Sequence, residues 1–285
     1  GRPNVGKSTL TNALVGEKIA IVTNKPQTTR NRICAVVNRE GCQFVFLDTP
    51  GLHKARTRLG DYMVKVVKES VADVDAVLLL VEPIPHIGGP EAELIRRIKE
   101  LNVPAVLVIN KIDTVEKEEL LSVMQVYGAA HDFAAIVPIS AKRNEGVDEL
   151  LGLLAQFLPE GPQLFPEDMV TDQPERQVCA EIIREKLLLC LDKEIPHGTA
   201  VEITTFSERD DGIIDLDATI YCEKASHKGI IIGKGGAMLK KISTLARTDI
   251  EAFMGTKVFL QTWVKVKENW RDNMNLIKNF GYRDE

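Results

Sequence analysis

Short runs of consecutive apolar residues, each closed by a polar or turn-forming residue, recur through the first half of the chain: DAVLLLVE (75–82), PAVLVIN (104–110) and AAIVPIS (134–140). Strands buried on both faces carry such runs, because neither face meets water. RICAVVN (32–38) and CQFVFLD (42–48) flank a short polar turn, so they are expected to pair as a hairpin. Between the runs, apolar residues return at helical spacing near 61–70, 91–101, 117–130 and 147–158. Alternating strand and helix specify a doubly wound α/β domain.

The rhythm then changes. LPEGPQLFPEDMVTDQPE (158–175) holds four prolines and no periodicity, which marks a linker. The chain is expected to divide into an α/β domain over 1–160, a linker over 161–174 and a smaller α+β domain over 175–285. In the second domain an amphipathic helix (175–191) precedes strands AVEITTFSE (200–208) and IIDLDATIYCE (213–223). A short helix, a glycine loop, a helix over 237–253, the strand KVFLQTWVKVKE (257–268) and a last helix follow.

The first eight residues, GRPNVGKS, match G-x-x-x-x-G-K-[ST]. Glycines at such spacing let backbone N–H groups turn toward phosphates, and the helix that follows adds its positive end. The whole stretch Gly1, Arg2, Pro3, Asn4, Val5, Gly6, Lys7, Ser8 and Thr9 is therefore a candidate phosphate cradle. Lys7 would reach the outer phosphates, and Ser8 would offer a hydroxyl to Mg²⁺. Asp48, Thr49, Pro50 and Gly51 follow an apolar run; there Asp48 would hold the metal, and the Gly51 amide would face the terminal phosphate. Asn110, Lys111 and Asp113 close the next run but one. Asp113 could accept from the ring N–H and the exocyclic amine of guanine, a donor pair that adenine lacks. Ser140, Ala141 and Lys142 end the last run and would supply backbone donors to the guanine oxygen. Four such elements in this order identify a GTP-binding switch domain.

A phosphate loop is fed by a strand, and no residue precedes Gly1; a strand missing ahead of it is expected. In TNKPQTTRNRI (23–33) a threonine should close on the metal: Thr29, or Thr28 beside it. Lys7, Thr29 and Gly51 are then the catalytic candidates, and Ser8, Thr29 and Asp48 the metal ligands. Leu52 stands where Ras-like enzymes carry a water-orienting glutamine, so slow intrinsic turnover is expected, with His53 or Arg56 as candidate helpers.

The segment GIIIGKGGAMLKK (229–241) resembles a second phosphate loop but has the wrong spacing, and Gly235 stands where a Ser or Thr must bind metal. A helix, then Gly233, Lys234, Gly235 and Gly236, then another helix, matches the G-x-x-G clamp of KH domains, which holds single-stranded nucleic acid by its backbone. Lys228, Lys240 and Lys241 extend the charge, and Ile230, Ile231, Ile232 and Met238 are expected to line a groove for bases. From Lys224 to Thr248 there are six basic residues and no acidic one, within a chain of net charge −5. Trp263 and Trp270 are candidates for base stacking. Five cysteines without close pairing read as reduced thiols of a cytosolic protein. No apolar run is long enough to span a bilayer.

Taken together, GRPNVGKST, QTTRNRI, DTPGLH, NKID, EIIREKLL, HKGIIIGKGG and WVKVKENWR resemble the Era family of bacterial GTPases over nearly the whole chain. The resemblance implies a Ras-like P-loop GTPase domain followed by a type II KH domain, with GTP, GDP and Mg²⁺ as cofactors. It implies that the KH domain binds the 3′ end of small-subunit ribosomal RNA, and that GTP turnover assists late assembly of the small ribosomal subunit. It further implies a hydrophobic residue at Leu52, and related GTPases suggest K⁺ at Asn4. A cytoplasmic monomer with peripheral contact at the inner face of the membrane is expected. Double-GTPase ribosome assembly factors would need a second GTPase domain, and tRNA-modifying GTPases a folate-binding domain and a C-terminal cysteine. A membrane-associated regulatory GTPase that couples growth to GTP level is the alternative from another class.

Overall fold

The computed structural model describes residues 1–51, 55–70 and 74–282. It divides into two compact units: residues 1–20, 29–54 and 63–172 form one, and residues 21–28, 55–62 and 173–285 the other.

In the first unit, helix α1 (Lys7–Val15) follows the phosphate-loop sequence directly. The expected hairpin forms as β1 (Ile33–Arg39) and β2 (Cys42–Asp48), antiparallel and in register from Ile33 opposite Asp48 to Arg39 opposite Cys42. Strands β3 (Val77–Val81), β4 (Ala105–Ile109) and β5 (Ala135–Pro138) pair in parallel in that order. All five residues of the central β4 are buried, which explains its unbroken apolar sequence. Helices α3 (Gly89–Leu101), α4 (Lys117–Ala130) and α5 (Val147–Leu154) alternate with these strands. Apolar clusters on the two sheet faces hold the layers together, one with α1 and α5 and the other with α3 and α4. Helix α2 (Arg58–Ser70), of which only residues 63–70 belong to this unit, begins three residues before its sequence signal. The two sheets share no ladder. Next to β2 and β3 a cleft of about 670 Å³ opens, lined by Phe44, Phe46, Leu78, Leu80 and Phe157 among others.

The proline-rich stretch is less independent than a spacer. The Val36 amide donates to the Val170 carbonyl (2.9 Å), and Thr171 Oγ1 donates to the Cys34 carbonyl (2.7 Å). The Gln43 side chain accepts from the amides of Leu164 and Phe165 and donates to the Phe165 carbonyl. These bonds fasten residues 164–171 to the hairpin and satisfy the backbone that prolines leave without a ladder.

In the second unit, α6 (Glu175–Cys190), β6 (Ala200–Glu208), β7 (Ile214–Cys222), α7 (Ala225–Ile232), α8 (Ala237–Met254), β8 (Val258–Val266) and α9 (Met274–Asn279) follow in order. β6 and β7 are antiparallel and β7 and β8 parallel, giving the sheet order β6-β7-β8. Helices α6 and α8 cover one face through Ile183, Leu187, Ile242, Ala246 and Ile250, packed with Leu216, Ala218 and Ile220. Helix α6 also buries Arg184, Glu185 and Lys186. Burial is tolerable because they are paired: Lys186 Nζ lies 2.8 Å from Glu185 Oε2 and 2.5 Å from Asp249 Oδ2 on α8.

Of the two tryptophans proposed for stacking, Trp270 is fully buried. Its Nε1 donates to the Gly198 carbonyl (2.9 Å), and its ring stacks on Tyr282 and meets Phe280 edge-on. It is a core residue, and only Trp263 remains exposed. Trp270→Phe keeps a ring but strands the Gly198 carbonyl, so it should cost about 1–2 kcal/mol in a urea unfolding titration.

Candidate functional site

Gly6 takes φ 98°, and a Cβ there would lie 2.2 Å from Asn110 Nδ2, so only glycine fits. Asn110, almost fully buried, donates through that nitrogen to the Val5 carbonyl (2.8 Å) and accepts from the Ala141 amide (3.0 Å). One side chain thus joins the phosphate loop, the end of β4 and the loop after β5.

Lys7 Nζ lies 3.0 Å from the Arg2 carbonyl and 3.4 Å from that of Gly1. Burial lowers its pKa, against the opposing pull of Asp48. A half-buried ammonium beside carbonyl oxygens suits an anionic ligand. Ser8, Thr29 and Asp48 come together as expected: Ser8 Oγ is 2.9 Å from Thr29 Oγ1 and donates to Asp48 Oδ2 at 2.7 Å. Asp48 is almost fully buried, and desolvation raises its pKa, countered by Lys7 and the Ser8 hydroxyl. Its other oxygen, Oδ1, is buried without a protein partner. Two hydroxyls and a carboxylate with an unused lone pair match the hard oxygen ligands that Mg²⁺ takes. Thr28, the alternative threonine, turns elsewhere, with its Oγ1 2.7 Å from Thr23 Oγ1 and bonded to the Lys25 carbonyl. Gly51 packs on the same loop: a Cβ there would sit 2.8 Å from the Pro3 nitrogen. Thr49 and Pro50 bridge Asp48 to Gly51, and Thr9 is the third residue of α1. Leu52 and His53 lie outside the described residues; Arg56 is exposed.

At the base-recognition end, Asp113 follows Lys111, whose φ of 65° turns the chain sharply. The Ser140 hydroxyl donates to Asp113 Oδ1 (2.7 Å), and Arg143 Nε lies 3.6 Å from Oδ2. Ser140 first, and the nearby cations after it, hold the Asp113 carboxyl below its ordinary range, so it is an acceptor at neutral pH. Ala141 departs from expectation. Its amide, assigned above to the guanine oxygen, is committed to Asn110, so Ala141 ties the loops together; Lys142 beside it is exposed.

Glu82 carries no sequence motif, yet it stands immediately after β3 between two loops. Its Oε1 accepts from Lys111 Nζ (2.5 Å), and its Oε2 pairs with Arg2 of the phosphate loop. Lys111 also donates to the Asn4 carbonyl (2.7 Å). A carboxylate clamping both loops is visible only in three dimensions, since the residues it joins lie 80 and 29 positions away.

The glycine loop of the second unit links α7 to α8. Gly233 takes φ 74° and ψ 174°, a conformation open almost only to glycine, and a Cβ on it would approach the Met238 Cβ to 2.7 Å and the Met238 nitrogen to 2.9 Å. Gly235 (φ 58°) and Gly236 (φ 79°) face open space. Lys234, Lys240 and Lys241 are exposed around the loop, and Lys228 is half-buried on α7. Ile231 is a correction: it is fully buried in the core, so it cannot line a base groove. Ile230, named with it, is exposed on the same short helix.

With this geometry in hand, the comparisons are direct. Residues 1–111 match the family model described as 50S ribosome-binding GTPase, and residues 194–271 the model described as KH domain. The chain is 53% identical over 283 residues to GTPase Era of Ruminiclostridium cellulolyticum, covering 99% of this chain and 95% of that one. It is likewise 53% identical to GTPase Era of Alkaliphilus metalliredigens, with 99% and 96% covered. Among solved structures, an Aquifex aeolicus Era variant bound to GDP·AlF₄⁻ superposes with a TM-score of 0.95 at 38% identity, over 100% of this chain and 97% of that one. An Era structure in complex with MgGDPNP and nucleotides 1506–1542 of 16S ribosomal RNA gives the same score, identity and coverage. Full-length identity, both domain models and the shared fold agree: the chain belongs to the Era family of GTPases.

Proposed function

We propose that this chain is a GTP-hydrolysing switch that binds the 3′ end of small-subunit ribosomal RNA and assists maturation of the small ribosomal subunit. The observation that carries the reading is the meeting of the Ser8, Thr29 and Asp48 oxygens within hydrogen-bonding distance, beside the half-buried Lys7.

Ser8 and Thr29 would ligate Mg²⁺ through their hydroxyls, and Asp48 would hold it directly or through water. The bound ion would supply neutralising charge to the outer phosphates. Lys7 would pair with those phosphates, and amides of the phosphate loop and Gly51 would fix their orientation. Asp113 would select guanine, with Asn110, Lys111 and Ser140 holding its loop. A chain with no glutamine after Gly51 is expected to turn over slowly unless a partner orders the attacking water. In the second unit, Gly233, Lys234, Gly235 and Gly236 would grip the RNA backbone, with Lys228, Lys240 and Lys241 extending the charge. Among the described residues no helix is long and apolar enough to cross a membrane; a role in maturation of the small ribosomal subunit would place the protein's work in the cytoplasm.

Asp48→Asn tests the metal site. It preserves the shape and the Ser8 bond but removes the charge, so Mg²⁺-dependent affinity for GTP should fall about tenfold, as for loss of one charged contact. Equal affinity for wild type and variant at every Mg²⁺ concentration would refute the assignment. The RNA reading is tested by titrating a labelled oligonucleotide of the 16S 3′ end against one of scrambled sequence; indistinguishable binding would remove it.

A further inference from the structure

We infer that Glu82 is a positioning residue for the bound nucleotide, fixing the spacing between the loop that reads the base and the loop that holds the phosphates; the inference rests on the nucleotide-binding reading above. All the residues involved lie in the first compact unit. Glu82 stands on a fixed support, directly after β3. The carbonyl of Val81, the last residue of that strand, accepts from the Asn110 amide (2.9 Å), so the ends of β3 and β4 are bonded side by side. From there the two Glu82 oxygens serve different loops. Oε1 takes Lys111 Nζ (2.5 Å), and Oε2 takes Arg2.

Each cation in turn fastens backbone. Lys111 Nζ also donates to the Asn4 carbonyl (2.7 Å), and both residues are left-handed without being glycine, with φ 65° at Lys111 and 66° at Asn4. Such conformations persist only where the surroundings hold them. Here the two are joined by one ammonium, and Glu82 anchors it. Arg2 carries the hold further into the phosphate loop. Its carbonyl accepts from Lys7 Nζ (3.0 Å), so the residue gripped by Glu82 also places the phosphate lysine. Its Nε lies 3.4 Å from Oε1 of Glu91, which is buried near the start of α3.

Charge therefore alternates along Lys111, Glu82, Arg2 and Glu91. Ion pairs in open water contribute little, but the Glu82 side chain is only 24% exposed. Burial pushes its carboxyl up; donation from Lys111, then from Arg2, outweighs burial and holds it below the ordinary carboxylate range. It is ionised at neutral pH. Without that charge, two cations would face each other across the gap between the loops. A guanine nucleotide spans both loops at once, so an altered spacing costs the whole ligand more than either of its parts.

The test follows dissociation of fluorescent GDP from the full chain carrying Glu82→Gln, which keeps the shape and loses the charge. Dissociation should accelerate about tenfold, the worth of one charge-assisted hydrogen bond, and equally with and without Mg²⁺. Guanosine and inorganic pyrophosphate each fill one loop only, so their inhibition constants should stay within about twofold of wild type. With Lys111→Met and Arg2→Met both present, adding Glu82→Gln should change dissociation by less than about twofold, because no cation is left to position. Equal acceleration in the two backgrounds overturns the inference, as does a comparable loss for either fragment. So does a variant whose only change is a lower unfolding temperature. If Glu82→Gln does not fold, Glu82→Asp, one methylene shorter, carries the same cycle. Wild-type protein that does not bind fluorescent GDP would instead refute the nucleotide reading itself, an outcome distinct from these.

Discussion

Asp113→Asn should weaken GTP binding roughly a thousandfold and admit xanthosine triphosphate in its place. The carboxylate is expected to accept two hydrogen bonds from guanine, each a charged contact worth about 1.5–3 kcal/mol. Together they correspond to roughly two to four powers of ten in affinity. An amide in that position offers one oxygen and one NH₂, and the NH₂ meets guanine's exocyclic amine donor to donor. Xanthine carries a carbonyl there, so the mismatch becomes a match. The surroundings permit the exchange, because the Ser140 hydroxyl can donate to an amide oxygen as it does to Asp113 Oδ1. Displacement of labelled GDP by each triphosphate measures both halves. A variant that retains GTP affinity within threefold would remove Asp113 as the selector of the base.

Gly235→Asp should weaken RNA binding roughly a hundredfold while leaving the fold almost untouched, whereas Gly233→Ala should destabilise the fold itself. At Gly235 a Cβ meets nothing within 4 Å, and φ 58°, ψ 23° is the left-handed region that Asp tolerates better than most residues. The new carboxylate would point into the space where a sugar-phosphate backbone must approach, beside Lys234. Loss of one or two charge-assisted contacts amounts to roughly a hundredfold in affinity. At Gly233 the added methyl would strike the Met238 Cβ and nitrogen, at the start of α8, in a backbone conformation that alanine scarcely adopts. Strain and crowding together should cost about 2–4 kcal/mol. Thermal unfolding and filter binding of a 16S 3′-end oligonucleotide separate the two outcomes. If Gly235→Asp binds RNA like wild type, the glycine loop is a structural turn and no more.

Much of this was legible before any coordinates. The runs that became β3, β4 and β5 are unbroken because both faces of each strand are covered, and polar residues at their ends mark the side where ligands approach. Asn110, Asp113 and Ser140 could be found because each ends such a run. The failures have different causes. Residues 230–232 are three isoleucines on a helix of only eight residues, too short for periodicity to say which one faces inward. Ala141 was assigned to the base because its neighbours fit a pattern, but the Asn110 side chain reaches its amide first. Glu82 had no motif to announce it. The proline-rich stretch reads as an unbound spacer because its partners, Cys34, Val36 and Gln43, lie more than 100 residues upstream.

The second compact unit is assembled from three separate pieces of sequence, and that has a consequence for its biosynthesis. Residues 21–28 and 55–62 leave the ribosome long before α6 exists. At synthesis rates of about 5–20 residues per second, residues 21–28 wait roughly 8–30 seconds for the helix that bonds Val22 and Thr28. During that interval the amide of Val22 and the carbonyl of Thr28 must remain with water, and a nascent chain interrupted before residue 184 would carry no Arg184 to order them.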